Sequence, residues 1–349
     1  MGFNKLIERL YLKVYVGVVT SYSGTDVIVE MSKGKTIQER VSRHFEADEN
    51  DAISDFIAPY LAESPFYYVA FLNPAADQGA LPVGTEKEAK GFIDTATVVT
   101  KTQDNSWLVY ASKPSLDNLQ KEYAQIGADF IFSPFSVIRR FFKDKIDSGT
   151  ALYVLAEEDA ISAAVFADSQ LLYAKRLLLP KEEHIDLEEE GSDAVRFSFD
   201  IDIEGIEDGL ELDDINAIDD LDGLDDLHEI EDLDTLDDFD SFAEDHGDVT
   251  MGGFGDEEEL GASEEVTLER FGKDYKRFQQ IQTALQDYYA DPKYDSRFIE
   301  SVYVADGCNV SDDLKQYLEE ELFVKVYVRR IDIAAEVVDL AIAEVNNAS

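Results

Sequence analysis

The chain has 349 residues, 45% hydrophobic and 11% aromatic, enough for one large or two ordinary domains. Its formal net charge of −46 excludes direct binding of nucleic acid, because phosphate contact needs clustered Lys and Arg; basic proteins or peptides are the expected partners. The single cysteine, Cys308, excludes a disulfide framework and a cysteine-based zinc site.

Residues 11–19 (LYLKVYVGV) and 25–31 (TDVIVEM) are rich in β-branched and aromatic residues. They predict a hairpin turning at Ser23-Gly24, with a third strand around 35–41. Ile53, Phe56, Ile57, Tyr60 and Leu61 fall at helical spacing and predict a helix over 49–64. Strands are expected at 66–73 and 106–112. A helix over 115–128 stops at Gly127; a short strand, a break at Pro134 and a second helix through the basic run RRFFKDK follow. Residues 150–179 read as three consecutive strands, with turns near Glu157–Asp159 and Asp168-Ser169. Order resumes near 266 with a helix ending before Pro292. A strand into a turn at Gly307, a helix with Ser311 as N-cap, the strand VKVYVR and a last helix complete the chain. This succession predicts a mixed α/β protein with two similar halves. No apolar run approaches 18 residues and no signal-peptide pattern opens the chain, so a cytoplasmic location is expected.

Between the last two groups of elements the composition changes. Residues 181–265 hold 36 Asp and Glu against Lys181 and Arg196. Within this stretch an apolar residue recurs at every third position from Leu212 to Phe242. A step of three turns an α-helix by about 300°, so the apolar stripe circles the helix and no buried face is sustained; a strand needs period two. Ordering three residues costs on the order of 3–6 kcal/mol. Burying one Leu returns about 1.5–3 kcal/mol. Alone, the stretch is expected to be disordered. An inert spacer has no use for the apolar beat, so the stretch reads as a tether of weak, repeated binding units for a basic-rimmed apolar groove, with Leu233, Leu236, Phe239 and Phe242 as candidate partner-binding residues. A solvating, inert linker is the bland alternative. Asp220, Asp222, Gly223 and Glu229 match part of a calcium loop, but its first ligand position is Ile218, so no metal site is assigned.

Several stretches resemble a known family. The strand Trp107–Ala111, then Gly127, then the helix start Pro134-Phe135-Ser136-Val137-Ile138-Arg139, the strand LLYAKRLLL with Arg176, and the C-terminal SVYVADGCNVSDDLKQYLEEELFVKVYV follow the order found in the PilM proteins of type IV pilus assembly and the cytoplasmic domain of the type II secretion protein GspL, a branch of the actin-like superfamily. The resemblance implies an α/β, actin-like (ribonuclease H-like) two-lobed fold. The first lobe would span 1–148, with an inserted subdomain about 40–130. The second would comprise 149–180 and 266–349, and 181–265 would be a disordered acidic insertion. It also implies docking on the short cytoplasmic tail of a bitopic inner-membrane protein, within a pilus, secretion or flagellar machine. The groove for it would lie between the first lobe and its inserted subdomain.

The departures from the nucleotide-binding pattern are as informative as the matches. An Asp-x-Gly turn should open each half, its backbone N–H groups cradling phosphate. Here Tyr15 stands two residues before Gly17, and the second half carries Glu157, Glu158 and Asp159 with no glycine. The adenosine loop is reduced to ADGCNV, with Gly307 alone. The expectation is a retained fold without catalysis: no catalytic residue, no cofactor and no metal, with a divergent actin-like ATPase or nucleotide sensor as the alternative. Cys308 has no evident His partner and reads as a structural thiol. Partners are expected to be the membrane-protein tail and a basic protein, with homo-oligomerisation left open.

Overall fold

The computed structural model describes residues 11–34, 36–47, 49–146, 149–180 and 257–348, without the side chains of residues 50, 257–271 and 348. The first hairpin forms where the apolar alternation places it, from β1 (Leu12–Thr20) and β2 (Gly24–Lys33), and β3 (Thr36–Glu46) extends it into a meander. β3 outruns the expected 35–41. It is an edge strand with almost every side chain in water, so no apolar pattern marks its end. Then follow α1 (Asn50–Ala62), β4 (Tyr67–Leu72), β5 (Gln78–Leu81), α2 (Glu86–Ala89), β6 (Val98–Gln103), β7 (Trp107–Ser112), α3 (Lys113–Glu122), β8 (Phe130–Phe132) and α4 (Pro134–Phe141). The remainder comprises β9 (Thr150–Ala156), β10 (Ala160–Ala167), β11 (Gln170–Leu178), α5 (Glu257–Ala290), β12 (Ser301–Asp306), α6 (Asp312–Leu322), β13 (Lys325–Arg330) and α7 (Ile333–Ala348).

Two five-stranded sheets share one plan. Their orders are β3-β2-β1-β4-β8 and β11-β10-β9-β12-β13. In each, three antiparallel strands precede two parallel ones. This duplicated order is that of the actin-like, ribonuclease H-like fold. β12 lies beside β9, so the two stretches separated by the acidic sequence share a sheet.

Strand alternation assigns the faces. Val14, Val16 and Val18 of β1 pack outward under α1 and α3, against Ile53, Ile57 and Leu119. Tyr15 points the other way, into a core between the sheets. The helix that ends each half crosses to the opposite sheet: α4 packs on β9 and β10, and α7 on β1, β2, β4 and β8. α4 and α7 also touch each other, so neither half closes its own core. Gly17 makes this approach close. A Cβ there would lie 2.5 Å from the Ala334 carbonyl oxygen and 2.8 Å from Val338 Cγ2. It is a packing glycine inside β1, not a residue of the following turn.

The inserted subdomain is smaller than the 40–130 expected. β3, α1 and β4 belong to the first sheet or pack on it, and α3 returns to its outer face. The insertion proper is the antiparallel sheet β5-β7-β6, over Gln78–Ser112. The strand expected at 106–112 is its central member. The sequence reading did not identify β5 or β6, since QGAL is short and VVTKTQ is half exposed. Trp107 anchors the insertion to the second lobe, edge-on to Phe166 with ring centroids 6.0 Å apart.

Candidate functional site

A cleft of about 740 Å³ lies where the first turns of the two lobes face each other. Ser21–Ser23 closes the β1–β2 hairpin and Glu157–Asp159 closes β9–β10. The two turns are latched: Ser23 Oγ donates to Glu158 Oε2, across 135 residues of sequence. Ser21 Oγ sits 3.1 Å from Ser23 Oγ and donates to the Gly24 carbonyl oxygen at 3.2 Å. Burial raises the Glu158 pKa, but the Ser23 and Ser21 hydroxyls and Lys273 outweigh it and hold the group below its ordinary value.

The carboxylates of the second turn have separate fates. Glu157 is buried and bound by both terminal nitrogens of Arg176, with Nη2 3.1 Å from Oε1 and Nη1 on Oε2. Arg176 Nη1 also donates to Ser162 Oγ at 2.9 Å. The charge of Glu157 is thus answered inside the protein, so repulsion of a phosphate at this turn, which the sequence reading ascribed to all three acids, falls to Glu158 and Asp159. Burial and the neighbouring Glu157 push Asp159 up to about 6.

The far wall is equally self-satisfied. Asp306 Oδ1 accepts the N–H groups of Cys308 at 3.1 Å and Val310 at 3.0 Å, so these turn amides are already used. Gly307 donates to the Ala156 carbonyl at 3.0 Å, and a Cβ on it would meet Ile333 Cδ1 at 2.4 Å. The absence of a side chain at Gly307 lets the start of α7 pack against this loop. Arg277 bonds buried Asp274 at 2.8 Å, and Asp274 in turn accepts the Ser311 N–H at 2.7 Å. The lining departs from a phosphate cradle at the latched turns, which carry carboxylates, and at the third loop, where Asp306 takes the Cys308 and Val310 amides; Lys273, Arg277 and Arg330 line the same cleft.

Cys308 lies in this wall, its thiol pushed up to about 12 by burial, in agreement with a structural role. The two arginines of the basic run are paired rather than open. Arg139 bonds Asp104 at 3.1 Å, while Arg140 bonds Glu336 at 3.1 Å and Asp339 at 2.7 Å, tying α4 to α7. The acidic stretch, with Leu233, Leu236, Phe239 and Phe242, lies outside the described residues.

A second concavity, about 190 Å³, runs between the inserted sheet and the first lobe, where the family resemblance implies a groove. Val99, Leu116, Ile131 and Phe132 line it. Two buried polar atoms in its lining have no partner among the described residues, Gln78 Oε1 and Ser133 Oγ. Gln78 spends its amide nitrogen on the carbonyls of Asn73 at 2.7 Å and Ala75 at 2.8 Å. Ser133 precedes α4 as its N-cap but makes no side-chain cap bond. Beside the groove β6 ends its sheet, with one neighbour only among the described residues. Sequence reasoning singled out neither polar residue. Ser133 before Pro134 was legible as a helix start, but not as an unpaired hydroxyl.

No helix among the described residues is long and apolar enough to cross a membrane. No curated protein matches the chain in sequence. Among solved structures, a Bacteroides thetaiotaomicron protein with actin-like ATPase fold and unknown function is 10% identical, with 97% of each chain covered and a TM-score of 0.45. A PilM–PilN type IV pilus biogenesis complex is 12% identical over 93% of this chain and 89% of that one, with a TM-score of 0.49. The ethanolamine utilization protein EutJ from Carboxydothermus hydrogenoformans is 9% identical over 91% and 84%, with a TM-score of 0.35. Residues 11–139 match the family model DUF8569, a domain of unknown function. Residues 152–346, more than half of the chain, match DUF8341, also described as a domain of unknown function, and the chain belongs to that family.

Proposed function

We propose that the protein is a non-catalytic actin-fold scaffold that holds a short extended segment of a membrane-anchored partner in the groove between β6 and β8. The observation that carries this reading is the pair of buried, unpartnered polar atoms there, Gln78 Oε1 and Ser133 Oγ. Each such atom costs about 1–3 kcal/mol when left unpaired. A peptide main chain supplies the donor for Gln78, and either a donor or an acceptor for Ser133. An apolar side chain of the peptide fits beside Val99, Leu116 and Ile131, and the free edge of β6 allows strand-like pairing. The sequence resemblance to PilM supports the tail of a bitopic inner-membrane protein as that segment, in a pilus, secretion or flagellar machine. The protein would then be cytoplasmic and peripheral to the inner membrane.

The Ser23–Glu158 latch supports the non-catalytic half of the proposal. The alternative, a divergent ATPase or nucleotide sensor, has the fold in its favour and the lining of the cleft against it. Two experiments separate the halves. Calorimetry with ATP–Mg²⁺ should detect no binding; a dissociation constant below about 10 μM overturns the non-catalytic reading. Ala111→Trp, which fills the groove, should release the protein from washed membranes of its native cell while the melting temperature holds. Equal membrane recovery of the variant and the wild type rejects the groove as the docking site.

A further inference from the structure

The open edge of the second sheet is basic in a chain of net charge −46. β13 reads KVYVRR, and it has no second strand neighbour among the described residues. Its backbone directions follow from one bond: the Ile331 N–H donates to the Asp306 carbonyl at 3.0 Å, towards β12. Successive residues of a strand turn their backbone groups to opposite sides, so Val326, Val328 and Arg330 turn theirs outward. Glu319 of α6 already takes the Val326 N–H at 3.2 Å. Val328 and Arg330 keep outward N–H and C=O groups.

The side chains of β13 and of Phe323 before it combine apolar surface with positive charge, next to Glu319, Glu320 and Glu321 at the end of α6. Phe323, just before β13, is 90% exposed in a left-handed conformation at φ 53°. That backbone costs a bulky residue about 1–2 kcal/mol, and Phe323 recovers little by packing within its own chain. Tyr327 is 48% exposed and closes an aromatic row that crosses the sheet, with ring centroids 5.2 Å apart from Tyr153 to Tyr303 and 5.0 Å from Tyr303 to Tyr327. Arg329 is shared with Asp144 at 3.2 Å, whereas Lys325 and Arg330 are exposed and form no ion pair among the described residues.

We propose that this edge takes up an extended acidic peptide of a partner protein as an added strand, its main chain bonded to Val328 and Arg330 and its carboxylates set beside Lys325 on one face of the sheet and Arg330 on the other. Charge complementarity selects this occupant over a second copy, because pairing β13 with itself would bring Lys325, Arg329 and Arg330 of both strands together. Approach of an acidic peptide to so acidic a chain is repulsive at long range, so the attraction is local, within the screening length of about 8 Å at physiological salt. The edge is built from other elements than the Gln78–Ser133 groove, and the two sites stand or fall separately.

The test uses the full chain and a fluorescein-labelled eight-residue peptide, Asp-Asp-Val-Val repeated twice so that carboxylates face both sides of the added strand, followed by anisotropy at about 0.15 M salt. A second peptide of the same charge carries N-methyl groups on alternate amides, which block strand addition. The plain peptide should bind, and the N-methylated one at least about tenfold more weakly, a difference of about 1.4 kcal/mol. Val328→Pro removes one outward N–H at a position where an edge strand tolerates proline, and should weaken binding of the plain peptide by a similar factor. Should Val328→Pro lower the melting temperature, the exposed pair Lys325→Glu and Arg330→Glu decides, with binding expected to vanish. The proposal fails if the plain peptide does not bind, if N-methylation leaves its affinity unchanged, or if the charge reversal does.

Discussion

In each lobe an arginine on the third strand reaches a glutamate of its own sheet, and the two pairs end in different surroundings. Arg40 of β3 bonds Glu30 of β2, and Arg176 of β11 bonds Glu157 at the end of β9. The Arg40 side chain is 41% exposed, that of Arg176 only 1%. Position in the sheet does not explain this, since β3 and β11 occupy the same place in the two orders. Cover does. β3 faces water, while β11 lies against the inserted strand β5, and its Tyr173 packs at a tilt against Tyr288 of α5. The insertion in the first lobe covers Arg176, whereas Arg40 stays open to water above a Glu30 that is itself buried. An exposed pair contributes little, whereas a buried one is costly to break from one side.

The largest expected effect follows from that difference. Arg176→Met leaves Glu157 charged and unpaired in the interior and should cost about 3–5 kcal/mol, read from urea unfolding. Replacing both partners with Met should recover most of the loss. A cost near 1 kcal/mol for the single variant breaks the comparison, because the site would then behave as a surface. Gly17→Ala tests the crossing of α7 onto the first sheet. The added methyl meets a backbone carbonyl that cannot rotate away, and about 1–3 kcal/mol of stability should be lost in the same measurement. No loss would mean that the helix sits farther from β1.

Arg40→Ala should cost roughly 1–2 kcal/mol, less than the Arg176 effect, because the buried Glu30 opens to water at the sheet edge once the half-exposed guanidinium above it is gone. The smallest effect concerns the turns, where the first lobe carries serines and the second carboxylates. Asp159 is held up to about 6, above its unfolded value of about 3.9. The native state therefore holds this proton more tightly, and stability falls as pH rises from about 4 to about 6, then levels off. Discounted for its partial exposure, the change is about 1 kcal/mol. Asp159→Asn should remove that share of the slope when unfolding midpoints are compared between pH 4.5 and 7. Identical profiles for variant and wild type would reject the assignment of the slope to this carboxyl.

Much of the fold was legible because its signals are local. The β1–β2 hairpin, the three strands of 150–179 and the Ser311 cap, whose Oγ accepts the Asp313 N–H at 3.2 Å, all follow from alternation or from a single capping residue. The exposed edge strand β3 and the four-residue β5 carry weak versions of those signals, so one was drawn short and the other missed. In the candidate cleft, the carboxylates at Glu157–Asp159 and the lone Gly307 were readable as departures from a phosphate site. The Arg176 partner of Glu157 was not, since nothing in LLYAKRLLL says which carboxylate its arginine meets.

By itself the sequence determined the order of strands and helices, the doubled plan of the two halves and the sign of charge at the turns, because each depends on residues within a few positions of one another. Only the tertiary structure decided that α4 and α7 exchange lobes, that Ser23 latches Glu158, that Arg176 is sealed while Arg40 is not, and that Gln78 and Ser133 converge on one groove. Those outcomes depend on which faces meet between elements that are not neighbours in the chain. Periodicity states that a face is apolar; the partner that covers it is settled by packing the whole chain at once.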